Sequence, residues 1–163
     1  MTESWDILDK DGKEMGIRWA REDSKMIPEG MYHPVVEIWV RIGDKLLITQ
    51  RHPDKYEGLK FDLPGGAVVA GESILDGAVR ELSEEVGIRV DSGSLTELGR
   101  MISGNVYATS YILHLDTLPQ ITLQATEVVG YRVVSQDEYE SMAESLTKGT
   151  QRRYALYRDK IFA

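Results

Sequence analysis

No cysteine occurs among the 163 residues, so the chain has no disulfide framework, no thiolate metal ligand and no thiol nucleophile. No apolar run approaches the roughly 20 residues that a membrane-spanning helix needs. The opening MTESWDILDKDGKE is acidic and broken by polar side chains where a secretory leader would be apolar. Positive charge is short too. The 19 Lys and Arg stand against 27 Asp and Glu, and the formal net charge of −8 repels phosphate backbones and anionic lipid. Nucleic acid and membrane are therefore poor expected partners, and the expected location is the cytoplasm. Repeats, low-complexity tracts and long linkers are also missing. A chain of this length then reads as one domain, residues 1–163, around a continuous core.

What is present alternates between strand and helix patterns. Trp5–Leu8 and Met15–Trp19, split by Asp11-Gly12, predict a short hairpin, followed by an irregular stretch ending at Pro28-Glu29-Gly30. Val35–Ile42 and Lys45–Arg51 predict an antiparallel pair around Gly43-Asp44. After a long loop and the short apolar piece Ala67–Ala70, the spacing predicts a helix over Ser73–Val86 that Gly87 can end in a left-handed conformation. Leu95–Ile102, Asn105–Asp116 and Glu127–Ser135 predict three more strands; Gln136–Leu146 and Thr150–Ile161 predict two more helices. The expected class is α/β or α+β, with helices on a mixed sheet.

The stretch RELSEEVG, Arg80–Gly87, crowds Glu81, Glu84 and Glu85 within one and a half helical turns, where like charges repel. Leu75, Ala78, Val79, Leu82 and Val86 form an apolar stripe about 100° wide that packs on the sheet. The three glutamates fall on another flank as one acidic patch. For an ordinary surface helix such a patch is merely a solvated face.

The surroundings carry more. Gly66, Glu72 and Arg80-Glu81-Leu82-Ser83-Glu84-Glu85-Val86-Gly87-Ile88 stand at the fixed spacings of a 23-residue signature. This resembles the Nudix (MutT-like) hydrolase superfamily, G-x5-E-x7-R-E-U-x-E-E-x-G-U, and every fixed position from Gly66 to Ile88 is met. The resemblance extends more weakly to Leu63-Pro64-Gly65 and to the strands on either side. It implies an α/β/α sandwich around a mixed sheet, with the box at 66–88 and residues 1–30 as an N-terminal hairpin extension. It also implies an enzyme, often dimeric, that cleaves the diphosphate of a nucleoside diphosphate joined to another group, using Mg2+ or Mn2+ and water. Such a substrate is a polyanion, so hard cations held by oxygen ligands suit the chemistry.

Residue by residue, the resemblance implies metal ligation by Glu84 and Glu85, with Glu81 binding metal or helping to activate water. The Gly65 carbonyl is an implied ligand, and Arg80 and Glu72 form an implied internal pair orienting helix and loop; pairing of Arg80 with Asp76 is the plain alternative. Gly66 and Gly87 serve the backbone. Outside the box, Glu127 is the candidate for a further ligand or base, its alternative being an exposed residue at a strand start. Arg51 and Lys55 are candidates to hold the diphosphate. His33 could ligate but is more often structural in such a place, and Trp19 and Trp39 read as packing. Tyr107 lies near a position associated with dinucleoside polyphosphates, and no proline between the box and Pro119 provides the usual ADP-ribose pattern. Two rival readings share the fold. An isopentenyl diphosphate isomerase needs a cysteine, and Pro64-Gly65 occupies that region here. A non-catalytic domain sensing a nucleotide or sugar commonly loses box glutamates, and all are kept.

Overall fold

β3 (His33–Ile42) and β4 (Lys45–Arg51) pair antiparallel, Ile42 opposite Lys45, around a turn in which Gly43 takes φ 59°. The tight turn requires that left-handed backbone, which glycine adopts without penalty. In the computed structural model, which describes residues 2–163, this pair is the centre of a seven-stranded sheet. β8 (Val106–Leu115) lies parallel to β3 along its whole length, from Val106 opposite His33 to Leu115 opposite Ile42. Parallel neighbours require a long crossover, and that crossover carries the box helix. β7 (Thr96–Ser103) pairs antiparallel with β8. β9 (Val128–Val134) and the two-residue β5 (Phe61–Asp62) pair with β4, while β6 (Gly65–Ala67) pairs with β3. A separate two-stranded sheet is formed by β1 (Ser4–Leu8) and β2 (Glu14–Ala20), the expected N-terminal hairpin, with Trp5 opposite Trp19.

Alternation along β3 divides the core in two. Val36, Ile38 and Val40 face α1 (Ile74–Val86) and pack with Ala78, Leu82 and Val86. Trp39, on the opposite face, packs with Leu46, Ile48 and the side chains Tyr139, Tyr157 and Ile161 from α2 (Gln136–Ser141) and α3 (Lys148–Ile161). The result is the expected α/β/α layering on a mixed sheet.

One element ends earlier than expected and two others are more finely divided. The helix predicted over Gln136–Leu146 stops at Ser141 and gives way to a 3-10 turn, Ala143–Ser145. Leu146 is buried and Thr147 must cap α3, its hydroxyl accepting from the Thr150 N–H, so the chain has to leave the helix early. Within Ala67–Ala70 only Ala67 belongs to a strand; Val68 is inserted beneath α1 instead. The irregular stretch after β2 contains a 3-10 segment, Arg21–Met26. No helix among the described residues is long and apolar enough to cross a membrane.

Candidate active site

α1 begins where the Ser73 hydroxyl accepts from the Asp76 N–H at 3.1 Å, and ends where Gly87 turns to φ 75° and donates back to the Leu82 and Ser83 carbonyls. Ala78, Leu82 and Val86 are fully buried, and Leu75 and Val79 pack beside them, as the stripe predicts. The glutamates do not form one exposed patch. Glu84 is exposed, with 48% of its side-chain surface open, and Glu81 is half-buried. Glu85 is only 6% exposed, because it borders the apolar stripe next to Leu82 and Val86.

Arg80 organises this group. Its Nε and Nη2 reach both oxygens of Glu72 at 2.6 to 3.2 Å, and Nη1 donates to Glu81 at 3.0 Å and Glu84 at 3.1 Å. Nη2 also donates to the Ala67 carbonyl. Glu72 in turn accepts from the Val69 N–H at 2.9 Å, so the pair ties the loop to the helix as the resemblance implies, and Asp76 is not the partner. Burial alone would raise Glu72, but Arg80 and the Val69 N–H outweigh it and its carboxyl is lowered. Burial raises Glu81 against the pull of Arg80. Glu85 is pushed up to about 8 by burial first, then by the charges of Asp62 and Glu81, with Lys55 and the Gly65 backbone opposing only in part.

The glycines before the helix allow close approach. A Cβ on Gly65 would stand 2.2 Å from the Val36 carbonyl oxygen, and one on Gly66 would stand 2.6 Å from the Glu81 carboxyl. β6 therefore lies against β3 with Glu81 directly over Gly66.

Opposite the box, Arg51 donates from Nη1 to Asp62 at 2.8 Å and from Nε to the Tyr56 carbonyl at 2.8 Å. Lys55 pairs with Glu127, which stands just ahead of β9. Arg51, Lys55, Glu127, Gly65, Gly66, Arg80, Glu81 and Glu84 all line one open cleft of about 900 Å3, and Glu85 lies buried beside it. The fold thus gathers the expected residues on one cleft from positions 51 to 127 of the sequence.

Asp62 was not anticipated. It is half-buried, partners Arg51 and Thr49, and raises Glu85; as a lone acid in a stretch read as loop, only its place beside Leu63-Pro64-Gly65-Gly66 hinted at a role. Burial also raises Asp62 itself, against the pull of Arg51. The N-terminal wall of the cleft, Arg21 and Lys25 included, was equally unforeseen. His33 lines the cleft with its ring stacked on Trp5 at 4.0 Å and 14°, and burial, with Arg21 nearby, holds it down at about 4. Trp39 is core, and Trp19 donates to the Asp23 carbonyl at 2.7 Å. Tyr107 is buried against Gly12 of the hairpin, away from the cleft.

Among the described residues, no three His, Asp or Glu side chains are already drawn together as a metal-ready cluster. Arg80 holds Glu81 and Glu84, and Glu85 is buried beside them. The donor set nevertheless suits a hard cation, being carboxylate and backbone oxygen above the side-chain-free cradle of Gly66.

Residues 31–159 match the family model of the NUDIX domain. Nudix hydrolase 3 of Arabidopsis thaliana is 29% identical over 155 residues, covering 84% of this chain, and this chain spans only 20% of that protein. An uncharacterised Nudix hydrolase of Listeria monocytogenes is 31% identical over 148 residues, covering 88% of this chain and 86% of its own. Among solved structures, a Deinococcus radiodurans protein superposes with a TM-score of 0.71 at 20% identity, covering 87% of this chain and 89% of its own. A bifunctional NMN adenylyltransferase/ADP ribose pyrophosphatase of Francisella tularensis, solved with AMP and a manganese ion, superposes with a TM-score of 0.67 at 17% identity. It is matched over 80% of this chain and 42% of its own. At these identities the two structures show the fold alone.

Proposed function

Because the chain belongs to the Nudix hydrolase family, we propose that it hydrolyses the diphosphate linkage of a nucleoside diphosphate joined to a further group. The reading rests most on one observation. Glu85 is buried without a cation of its own beside Glu81 and Glu84, while Arg51 and Lys55 stand on the facing wall of the same cleft. An uncompensated buried carboxylate is costly to a fold and is found where function uses it.

Nudix hydrolases generally use divalent metal ions. Here Glu81, Glu84, Glu85 and the Gly65 carbonyl are the residues to hold Mg2+ or Mn2+, which supplies charge neutralisation and a more acidic water for attack on phosphorus. Arg80 has two duties in this reading: it pins the loop through Glu72 and keeps Glu81 and Glu84 apart from each other's charge until a stronger cation competes for them. Glu85 must give up its proton on loading, because burial and Asp62 keep it protonated near neutral pH. Arg51 and Lys55 bind the phosphate oxygens. Arg51 is presented in a fixed orientation by Asp62 and the Tyr56 carbonyl, and Lys55 is freed by turning away from Glu127. Glu127 then faces the cleft as the candidate further ligand or base. Gly66 and Gly87 keep the helix and cradle in place.

The test is cleavage of a nucleoside diphosphate derivative panel with magnesium in oxygen-18 water, where one phosphate-containing product should carry one solvent oxygen. Isomerisation of isopentenyl diphosphate with the diphosphate intact, and no nucleotide cleaved, would overturn the reading. It would also need a proton donor in place of the missing cysteine.

A further inference from the structure

The N-terminal hairpin and the 3-10 segment after it precede the 31–159 family match, yet they build one wall of the cleft. The 3-10 segment is pinned at three points. Trp19 Nε1 donates to the Asp23 carbonyl, Asn105 Nδ2 donates to the Ser24 carbonyl at 2.8 Å, and the Arg21 backbone N–H donates to the Glu3 carbonyl at 2.9 Å. Fixed in this way, Arg21 and Lys25 are presented to the cleft. The exposed Arg21 is balanced by the half-buried Glu3 at 3.3 Å, and Lys25 has no carboxylate partner among the described residues.

Cations gather along the cleft of a protein of net charge −8: Arg21, Lys25, Arg51, Lys55 and Arg80 line it, Glu3, Asp62, Glu127 and Glu72 pair with Arg21, Arg51, Lys55 and Arg80, and Lys25 is left without a carboxylate partner among the described residues. Loading the acidic side with a divalent cation would leave it more positive still. Arg21 also acts across the cleft: Lys55 is held below the usual lysine range by burial, then by Arg51, with Arg21 among the smaller causes. Two like charges facing one another in a polar cleft repel, which favours an anion that can sit between them. Arg51 and Lys55 already account for the two phosphoryl groups of a diphosphate. Arg21 and Lys25 are therefore in excess of what that group needs, and they stand on a different wall.

We propose that Arg21 and Lys25 are specificity-determining residues that select substrates carrying a further phosphoryl group beyond the diphosphate that is cut. The proposal rests on the hydrolase reading for its kinetic meaning, but the anion subsite itself does not. Arginine grips phosphate oxygens through paired N–H groups and lysine adds a mobile charge, a combination suited to a terminal phosphoryl group and indifferent to a neutral sugar.

The test uses the full chain with magnesium and two probes whose P–C–P bridges water does not cut, methylenediphosphonate and its three-phosphorus homologue. Calorimetry on the wild type should show the longer probe binding about tenfold or more tightly, the scale of one or two charge-assisted hydrogen bonds. Arg21→Gln with Lys25→Gln should reduce that ratio to within about twofold while leaving the shorter probe's affinity within about threefold. Lys25→Gln alone, which removes no ion pair and so leaves the 3-10 segment folded, should give a partial loss of the ratio. In the nucleotide panel the double variant should raise KM for triphosphates with kcat little changed, and leave diphosphate derivatives alone. A ratio that persists in the double variant overturns the proposal, as does equal weakening of both probes. If no nucleotide is cleaved by the wild type, the hydrolase reading fails, and the two-probe ratio still decides whether this subsite exists.

Discussion

Glu37 and Glu85 are both buried carboxylates, on opposite faces of one sheet, and their surroundings could hardly differ more. Glu37, on the β3 face that meets α3, receives Arg153 Nε at 2.5 Å, the Ser110 hydroxyl at 2.6 Å and Trp39 Nε1 at 3.2 Å. Burial raises it, and Arg153, Ser110 and Trp39 pull it back. Glu85, on the α1 face, is raised by burial and then raised further by the acids Asp62 and Glu81. A carboxylate surrounded by donors ties elements together; one surrounded by acids keeps its proton and, in the function proposed above, takes a cation from solution. Burial by itself therefore does not separate the two acids, but the sign of their neighbours does.

The comparison breaks most visibly in variants of the two acids. Glu85→Gln and Glu81→Gln should lower turnover at least about 100-fold with magnesium present; the melting temperature stays level or rises in Glu85→Gln, which removes repulsion, and changes little in Glu81→Gln, which removes repulsion and its pair with Arg80 together. A fall in melting temperature matching the fall in rate would place Glu85 in the same class as Glu37. On the other face, Arg153→Ala should cost about 3 to 5 kcal/mol in denaturant unfolding, because Glu37 is then left buried without its partner. Leu82→Ala, which opens a cavity beneath α1, belongs in the same range at about 2 to 5 kcal/mol.

A smaller effect sharpens the comparison through pH. The folded protein keeps the Glu85 proton up to about 8, whereas the unfolded chain releases it in the ordinary carboxylate range. The stability this contributes is present at acid pH and is lost as pH rises toward and through 8, because the native state binds more protons than the unfolded state in that window. His33 acts oppositely: held down at about 4, it leaves stability intact above the ordinary histidine value and costs stability as pH falls from there toward 4. Urea midpoints between about pH 6.5 and 8.5, above the His33 window, should therefore decline in the metal-free wild type and flatten in Glu85→Gln. The smallest effect is that of metal on melting temperature, a rise of a few degrees with millimolar magnesium or manganese that is greater at pH 8.5 than at 6.5, because loading expels the Glu85 proton. A metal response independent of pH would separate Glu85 from the ion.

The box was legible because its information is local. The spacing of Ala78, Leu82 and Val86, the cap at Ser73 and the stop at Gly87 all follow from helical periodicity and backbone freedom, which neighbouring residues set among themselves. The partnership of Arg80 with Glu72 came from the resemblance instead, since helical spacing alone offered Asp76. The hairpins and most strands were legible through alternation and their turn glycines. The end of α2 was not, because the demand that Leu146 be buried and Thr147 cap the next helix comes from the sheet it packs on.

By itself, then, the sequence determined which side chains share the box helix, where that helix begins and ends, and that no thiol takes part. Only the tertiary structure decided that Glu85 is buried while Glu84 is exposed, that Asp62 sits close enough to raise it, and that Lys55 meets Glu127 across 72 positions. It also decided that a hairpin outside the box forms a wall of the cleft. The physical reason is the range of the forces involved. Helix periodicity and caps act over three or four residues, whereas desolvation and Coulomb interactions depend on what the fold brings alongside, and no local pattern records that.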